Sequence, residues 1–283
     1  MLGAVGALSS YGPWALGATI ALLAAFFLLR GRVRIEKGWA GFNLVRFTLI
    51  ERIVHWLLAL SFVVLAATVL TMQFGGSLLI PLVGNLGFAE VLRVGGTLHG
   101  AAVSAFTASL PLAFLLWARH SLPHWRDVIW LLKGGGMLVR GWQAPAWKFN
   151  AGQKLLFWAT MLGGVVLSVS GIVLAYPSQA GLFTKLLALL NVTGLQLTAA
   201  EERQHAAAWH GAAALGLTCV ALVHIYVRTI GIQGAFSAMG SGKVDANWAR
   251  QHHSLWADRE LKRMDEGAAV AARSDGAQAA PAE

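Results

Sequence analysis

Residues 208–228 read AWHGAAALGLTCVALVHIYVR, an apolar run with one histidine near each end, His210 and His224. On a helix, fourteen positions return to within about 40° of the same face, so both imidazoles lie on one stripe. They stand roughly 21 Å apart along the axis, about two-thirds of a ~30 Å bilayer core. A histidine inside a membrane span is costly, and its default reading is functional. This stretch therefore predicts a membrane helix that offers a ligand near each surface.

The rest of the chain agrees. Of its 283 residues, 57% are hydrophobic and 12% charged, against about 25% charged in soluble domains. The predicted fold is all-α integral membrane: a four-helix transmembrane bundle plus one additional N-terminal transmembrane helix. Residues 1–29 carry no charge, and the basic cluster Arg30, Arg32, Arg34 follows the apolar run. A cleavable leader has positive charge before its apolar stretch, so a retained span is expected. Further spans are expected at 53–72, 97–117, 155–176 and 208–228, with an outer segment at 74–96 and a possible short helix around 86–93. Along the chain this divides into 1–34 (first helix and basic flank), 35–230 (bundle), 231–266 (basic tail) and 267–283 (an Ala-rich disordered tail).

Charge orients the spans. Lys and Arg number 6 before the second span, 6 in the 118–154 loop and 7 from Arg228 onward, leaving only Arg93, Lys185 and Arg203 on the other side. By the positive-inside rule the N-terminus is outside and the tail cytoplasmic. The net charge of +9 is then a topology signal rather than a nucleic-acid signal.

Topology sets the depth of two more histidines. His55 lies at the inner end of its span, level with His224, and His99 lies at the outer end of its own, level with His210. Four imidazoles in two depth-matched pairs suit two b-type haems, His55–His224 inside and His99–His210 outside. With both axial positions filled, such haems carry electrons rather than bind substrate. The spans holding His55 and His99 contain no carboxylate, which disfavours a proton-translocating chain. The single cysteine, Cys219, excludes a cysteine-ligated iron–sulfur cluster within this chain. Glycines follow both outer ligands, at Gly100 and Gly211, where a porphyrin could approach the backbone. His205 does not share the stripe. Pro123 interrupts the His120/His124 pair, which reads as loop, and His252-His253 in the basic tail reads as a partner-contact or solvated element. Asn150-Ala151-Gly152-Gln153 just before the fourth span is either a helix N-cap or a neutral hydrogen-bonding site.

At 52–56 (RIVHW), 150–154 (NAGQK), 210–224 and 248–253 (WARQHH), the sequence resembles the γ subunit, the cytochrome b membrane anchor, of respiratory formate dehydrogenase. The resemblance covers roughly residues 46–260. It does not cover the first span, which is an addition to the smallest members, or the Ala-rich tail. It implies axial ligation of two haem b irons by His55, His99, His210 and His224, and a site for menaquinone or ubiquinone at Asn150, Gly152 and Gln153 with His224 nearby. It implies a bacterial inner-membrane location. The implied partners are an iron–sulfur β subunit and, through it, a molybdenum or tungsten subunit that oxidises formate, so this chain holds no catalytic residue of its own. Two rivals remain at this stage: the cytochrome b subunit of a nickel–iron hydrogenase or related molybdoenzyme, and a haem-free anchor or transporter.

Overall fold

In the computed structural model, residues 2–138, 141–176, 181–189 and 197–278 are described. The chain is helical almost throughout, with helices α1 (Leu2–Arg30), α2 (Leu49–Trp117), α3 (Trp125–Leu132), α4 (Ala151–Ala175), α5 (Leu182–Leu189), α6 (Ala199–Tyr226), α7 (Ser237–Gly240), α8 (Ala246–His252) and α9 (Ser254–Gln278). Two three-residue strands, β1 (Asn43–Val45) and β2 (Lys243–Asp245), pair antiparallel with Asn43 opposite Asp245.

These elements form two units. The first contains α1 to Leu29, Ile50–Ala118 and Leu156–Val227; the second gathers Arg30–Leu49, Arg119–Leu155 and the described chain from Arg228 onward. The apolar spans form one unit, and the polar segments that connect them form the other.

In the first unit, α2 is a helical hairpin. Its helical dihedrals break at Gly84, with φ 72° and ψ 174°, a conformation open to glycine because it has no Cβ. Contacts then pair progressively earlier with progressively later residues: the space a Cβ at Gly75 would fill is 3.3 Å from Phe88, Thr68 bonds His99, and the Phe62 and Phe106 rings lie 5.9 Å apart. At its ends, the Trp117 indole donates to buried Glu51 at 3.2 Å. The 74–96 segment is thus helix on both sides of one reversal rather than an irregular loop. Apolar composition favours continuing helix, because only that satisfies backbone groups in a membrane.

Helix α4 runs antiparallel to the second arm of α2 and to α6, and glycines set how closely they pack. A Cβ at Gly164 would lie 2.7 Å from Leu110, and one at Gly163 would lie 2.8 Å from Leu217. Small residues allow this approach between membrane helices. Helix α1 lies parallel to α6, with Gly12 against Phe74 and Leu215, and Phe26 edge-on to Tyr226 at 6.3 Å. Thr198 and Glu201 form a capping box that starts α6. Buried Glu202 accepts backbone N–H bonds from Gly181 and Thr184 at the start of α5. Glu201, Glu202 and Arg203 thus belong to the first turn of α6, not to a loop. Among the described residues, four helices are long and apolar enough to cross a membrane, and the one at Leu49–His120 is 72 residues long. Folded at Gly84, it supplies two of five crossings, so this is a multi-pass membrane protein.

Proline cannot continue a helix, so the sequence predicts that the fourth span stops at Pro177; that residue, and Leu190 at the end of an apolar stretch expected at 182–190, lie outside the described residues. Helix α9 runs through the Ala-rich stretch from Gly267 to Gln278. Alanine has the highest intrinsic helix propensity, which favours continuation.

Candidate haem sites and the Asn150–Gln153 turn

In the first unit, His55 on the first arm of α2 faces His224 on α6, with ring centroids 6.3 Å apart and planes inclined at 53°. Metal–nitrogen bonds of about 2 Å, plus about 1.1 Å from each nitrogen to its ring centre, would put two axial imidazoles about 6.3 Å apart across one iron. The observed spacing fits that arrangement.

His99 and His210 line one cavity of about 330 Å³, whose walls are otherwise mostly apolar and include Phe62, Val69, Phe106, Leu174 and Gly211. That volume falls in the range of about 300–1,000 Å³ usual for cofactor sites. Gly12 and Leu16 of α1 also line it, so the added N-terminal span forms part of its wall. Of the two glycines that follow His99 and His210, Gly211 lines the cavity. Gly100 does not, and the position of its missing Cβ meets nothing within 4 Å.

His99 and His210 are each held by a hydroxyl. Thr68 Oγ1 lies 2.9 Å from His99 Nδ1 and also 2.9 Å from the Val64 carbonyl. Ser170 Oγ lies 3.0 Å from His210 Nδ1 and 2.6 Å from the Val166 carbonyl. A hydroxyl has one proton. Given to its own helix carbonyl, that proton leaves the oxygen as acceptor, so each imidazole donates from Nδ1–H. This fixes the tautomer and leaves Nε2 unprotonated, able to coordinate a metal. Thr68 and Ser170 escape a reading of the sequence, because isolated hydroxyls in apolar helices commonly do no more than bond the preceding turn.

In the second unit, the Asn150–Gln153 turn is an N-cap. Asn150 Oδ1 accepts from Gln153 N–H at 3.0 Å, and Gln153 Oε1 accepts from Asn150 N–H at 3.2 Å. The oxygens are thereby used, and among the described residues neither carboxamide NH2 has a partner. Gly152 is needed for packing, because a Cβ there would lie 2.9 Å from Trp130. Lys154 pairs with Asp127 at 2.8 Å, and Asp127 together with His124 caps α3. His124 is thus a capping residue, and among the described residues no group of three or more His, Cys, Asp or Glu could hold a metal ion. His253 is buried, not solvated.

The profile of the prokaryotic cytochrome b561 family matches residues 46–242, the stretch that holds all four membrane histidines. The chain belongs to this family. As a cytochrome b it binds haem b, for which the facing imidazoles and the apolar cavity are suited. It is 29% identical over 225 residues to the cytochrome b556(fdo) subunit of formate dehydrogenase from Escherichia coli K12, covering 79% of this chain and 96% of that one. The nitrate-inducible formate dehydrogenase cytochrome b556(Fdn) subunit of the same organism is 28% identical over 228 residues, covering 78% and 93%. The formate dehydrogenase cytochrome b556 subunit of Haemophilus influenzae is 29% identical over 235 residues, covering 79% and 87%.

For this cytochrome, the two hydroxyls give a testable expectation. An Nδ1–H···O bond makes the imidazole a stronger donor and favours ferric iron. Removing it by Thr68→Val or Ser170→Ala is expected to raise one haem potential by about 40 mV, equivalent to about 1 kcal/mol for one electron. A redox titration of the visible bands reads this, and both variants are expected to move the same component.

Proposed function

We propose that this chain is the membrane subunit of a formate dehydrogenase complex, carrying electrons from an iron–sulfur partner to membrane quinone through two b haems. The observation that carries the reading is the presence of two histidine pairs, one facing at 6.3 Å and one sharing a cavity, in one bundle. The names of the relatives point to formate as the source of electrons, with oxidation at a molybdenum or tungsten centre on another subunit.

His55 and His224 would hold the inner haem, and His99 and His210 the outer one. Haem held in this way supplies one-electron transfer with no coordination position open to substrate. Thr68 and Ser170 fix the outer imidazoles, and Phe62, Phe106 and Leu16 keep water from them. The NH2 groups of Asn150 and Gln153, at the membrane boundary, donate to the quinone oxygens without burying a charge. Reduction to quinol takes two electrons and two protons. With the N-terminus outside and the basic segments inside, as the charge distribution favours, those protons come from the cytoplasm of a bacterium whose plasma membrane holds the complex.

Membranes containing the full-length chain and its partners test this directly. Formate is expected to reduce the b-type absorbance fully within seconds when quinone is absent, and added quinone to reoxidise it. Reduction by hydrogen but not by formate would overturn the assignment of the partner.

A further inference from the structure

The last residue of the WARQHH segment, residues 248–253, is among the most enclosed of the described residues. His253 is 1% exposed and Arg46 3%. His253 Nδ1 donates to the Trp147 carbonyl at 2.8 Å. With that proton assigned, Nε2 is an acceptor, and Arg46 Nη2 donates to it at 3.0 Å. The same nitrogen also donates to the Lys148 carbonyl at 2.5 Å. Two successive carbonyls are thus gripped by one Arg–His pair, and Asn150 follows two residues later.

The grip is built in from both sides. Strand pairing sets Asn43 opposite Asp245, and Asp245 caps α8 through the Asn247 and Trp248 N–H groups. The same register delivers Arg46 to the end of α8, where its guanidinium lies 5.5 Å from the Trp248 ring and 4.8 Å from that of Trp256. Burial and the neighbouring Arg46 hold His253 well below the usual histidine range, so it stays neutral and keeps its acceptor. Adjacent His252, its ring 5.1 Å from Trp248, is likewise lowered, to about 3, by burial, Arg228 and Arg46.

We infer that Arg46 and His253 are positioning residues for quinone: by holding the Trp147–Lys148 backbone they fix where the Asn150 and Gln153 NH2 groups point. This rests on the quinone reading of that turn. A cap alone sets the local helix start but not the placement of the turn, and displacement of about 1 Å in a binding constellation can cost up to a hundredfold. The clamp supplies that placement from outside the turn.

The test mixes the full-length, haem-loaded chain, reduced with dithionite and freed of excess, with a short-chain naphthoquinone or benzoquinone. Loss of the reduced band gives the half-saturating quinone concentration and the limiting rate. Equilibrium dialysis of the oxidised chain gives the quinone Kd. His253→Ala is expected to raise Kd and half-saturation roughly tenfold, with the limiting rate within about threefold and the haem spectrum unchanged. His253→Gln, whose amide can donate to Trp147 and accept from Arg46, is expected to restore both. If His253→Ala fails to assemble, His253→Asn, too short to span both partners, reads the same quantities. Unchanged Kd in a folded alanine or asparagine variant, while Asn150→Asp weakens binding, overturns the clamp alone. If Asn150→Asp also leaves Kd unchanged, the quinone reading fails and the clamp with it.

Discussion

Replacing His224 by alanine is expected to reduce the low-spin haem from two per chain to one, halving the reduced-minus-oxidised band. His224 faces His55 at 6.3 Å, so its loss would leave the proposed inner haem with one imidazole. His210 sits fourteen residues away on the same helix, with its own cavity and its own hydroxyl partner, so the outer haem is expected to keep its spectrum and potential. His55→Ala is expected to match His224→Ala, and the double variant His210→Ala with His224→Ala to carry no low-spin haem. Haem quantitation by pyridine haemochrome, combined with the low-spin electron paramagnetic signal, checks each number. Two low-spin haems surviving in His224→Ala would sink the inner pairing.

The second large effect separates a cap from a quinone site. Asn150→Asp with Gln153→Glu keeps every oxygen used in the capping box, and both residues suit a helix N-terminus. What disappears are the NH2 groups, replaced by oxygens that repel a quinone carbonyl. Loss of two such donors is expected to cost at least about 3 kcal/mol of binding, roughly a hundredfold in half-saturating quinone. Thermal stability and haem content are expected to stay as in the wild type. If half-saturation stays the same, the turn serves only to start α4.

Much of the site was legible from local pattern. The His210/His224 stripe follows from helical period, the pairing by depth follows from span ends and charge, and the capping potential of Asn150 follows from its residue type. Thr68 and Ser170 were not legible, because what sets them apart is only which histidine lies across the helix interface. Nor was His253: in a basic tail it looks solvated, and only the β1–β2 register and the end of α8 bring it to Arg46 and Trp147. For the 74–96 segment the sequence suggests an outer segment with only a short helix around 86–93, whereas it is helix on both sides of Gly84. In a membrane the backbone must bond internally, so the helix runs on until Gly84 permits one reversal.

Sequence alone determined the class and the crossings and singled out four imidazoles as candidates, because burial in lipid and helical period act residue by residue along the chain. Tertiary structure decided what surrounds them: hydroxyls on the outer histidines, α1 as a wall of their cavity, and a buried Arg–His pair behind the Asn150 turn. Those depend on contacts between residues far apart in the chain, whose partners no local period encodes.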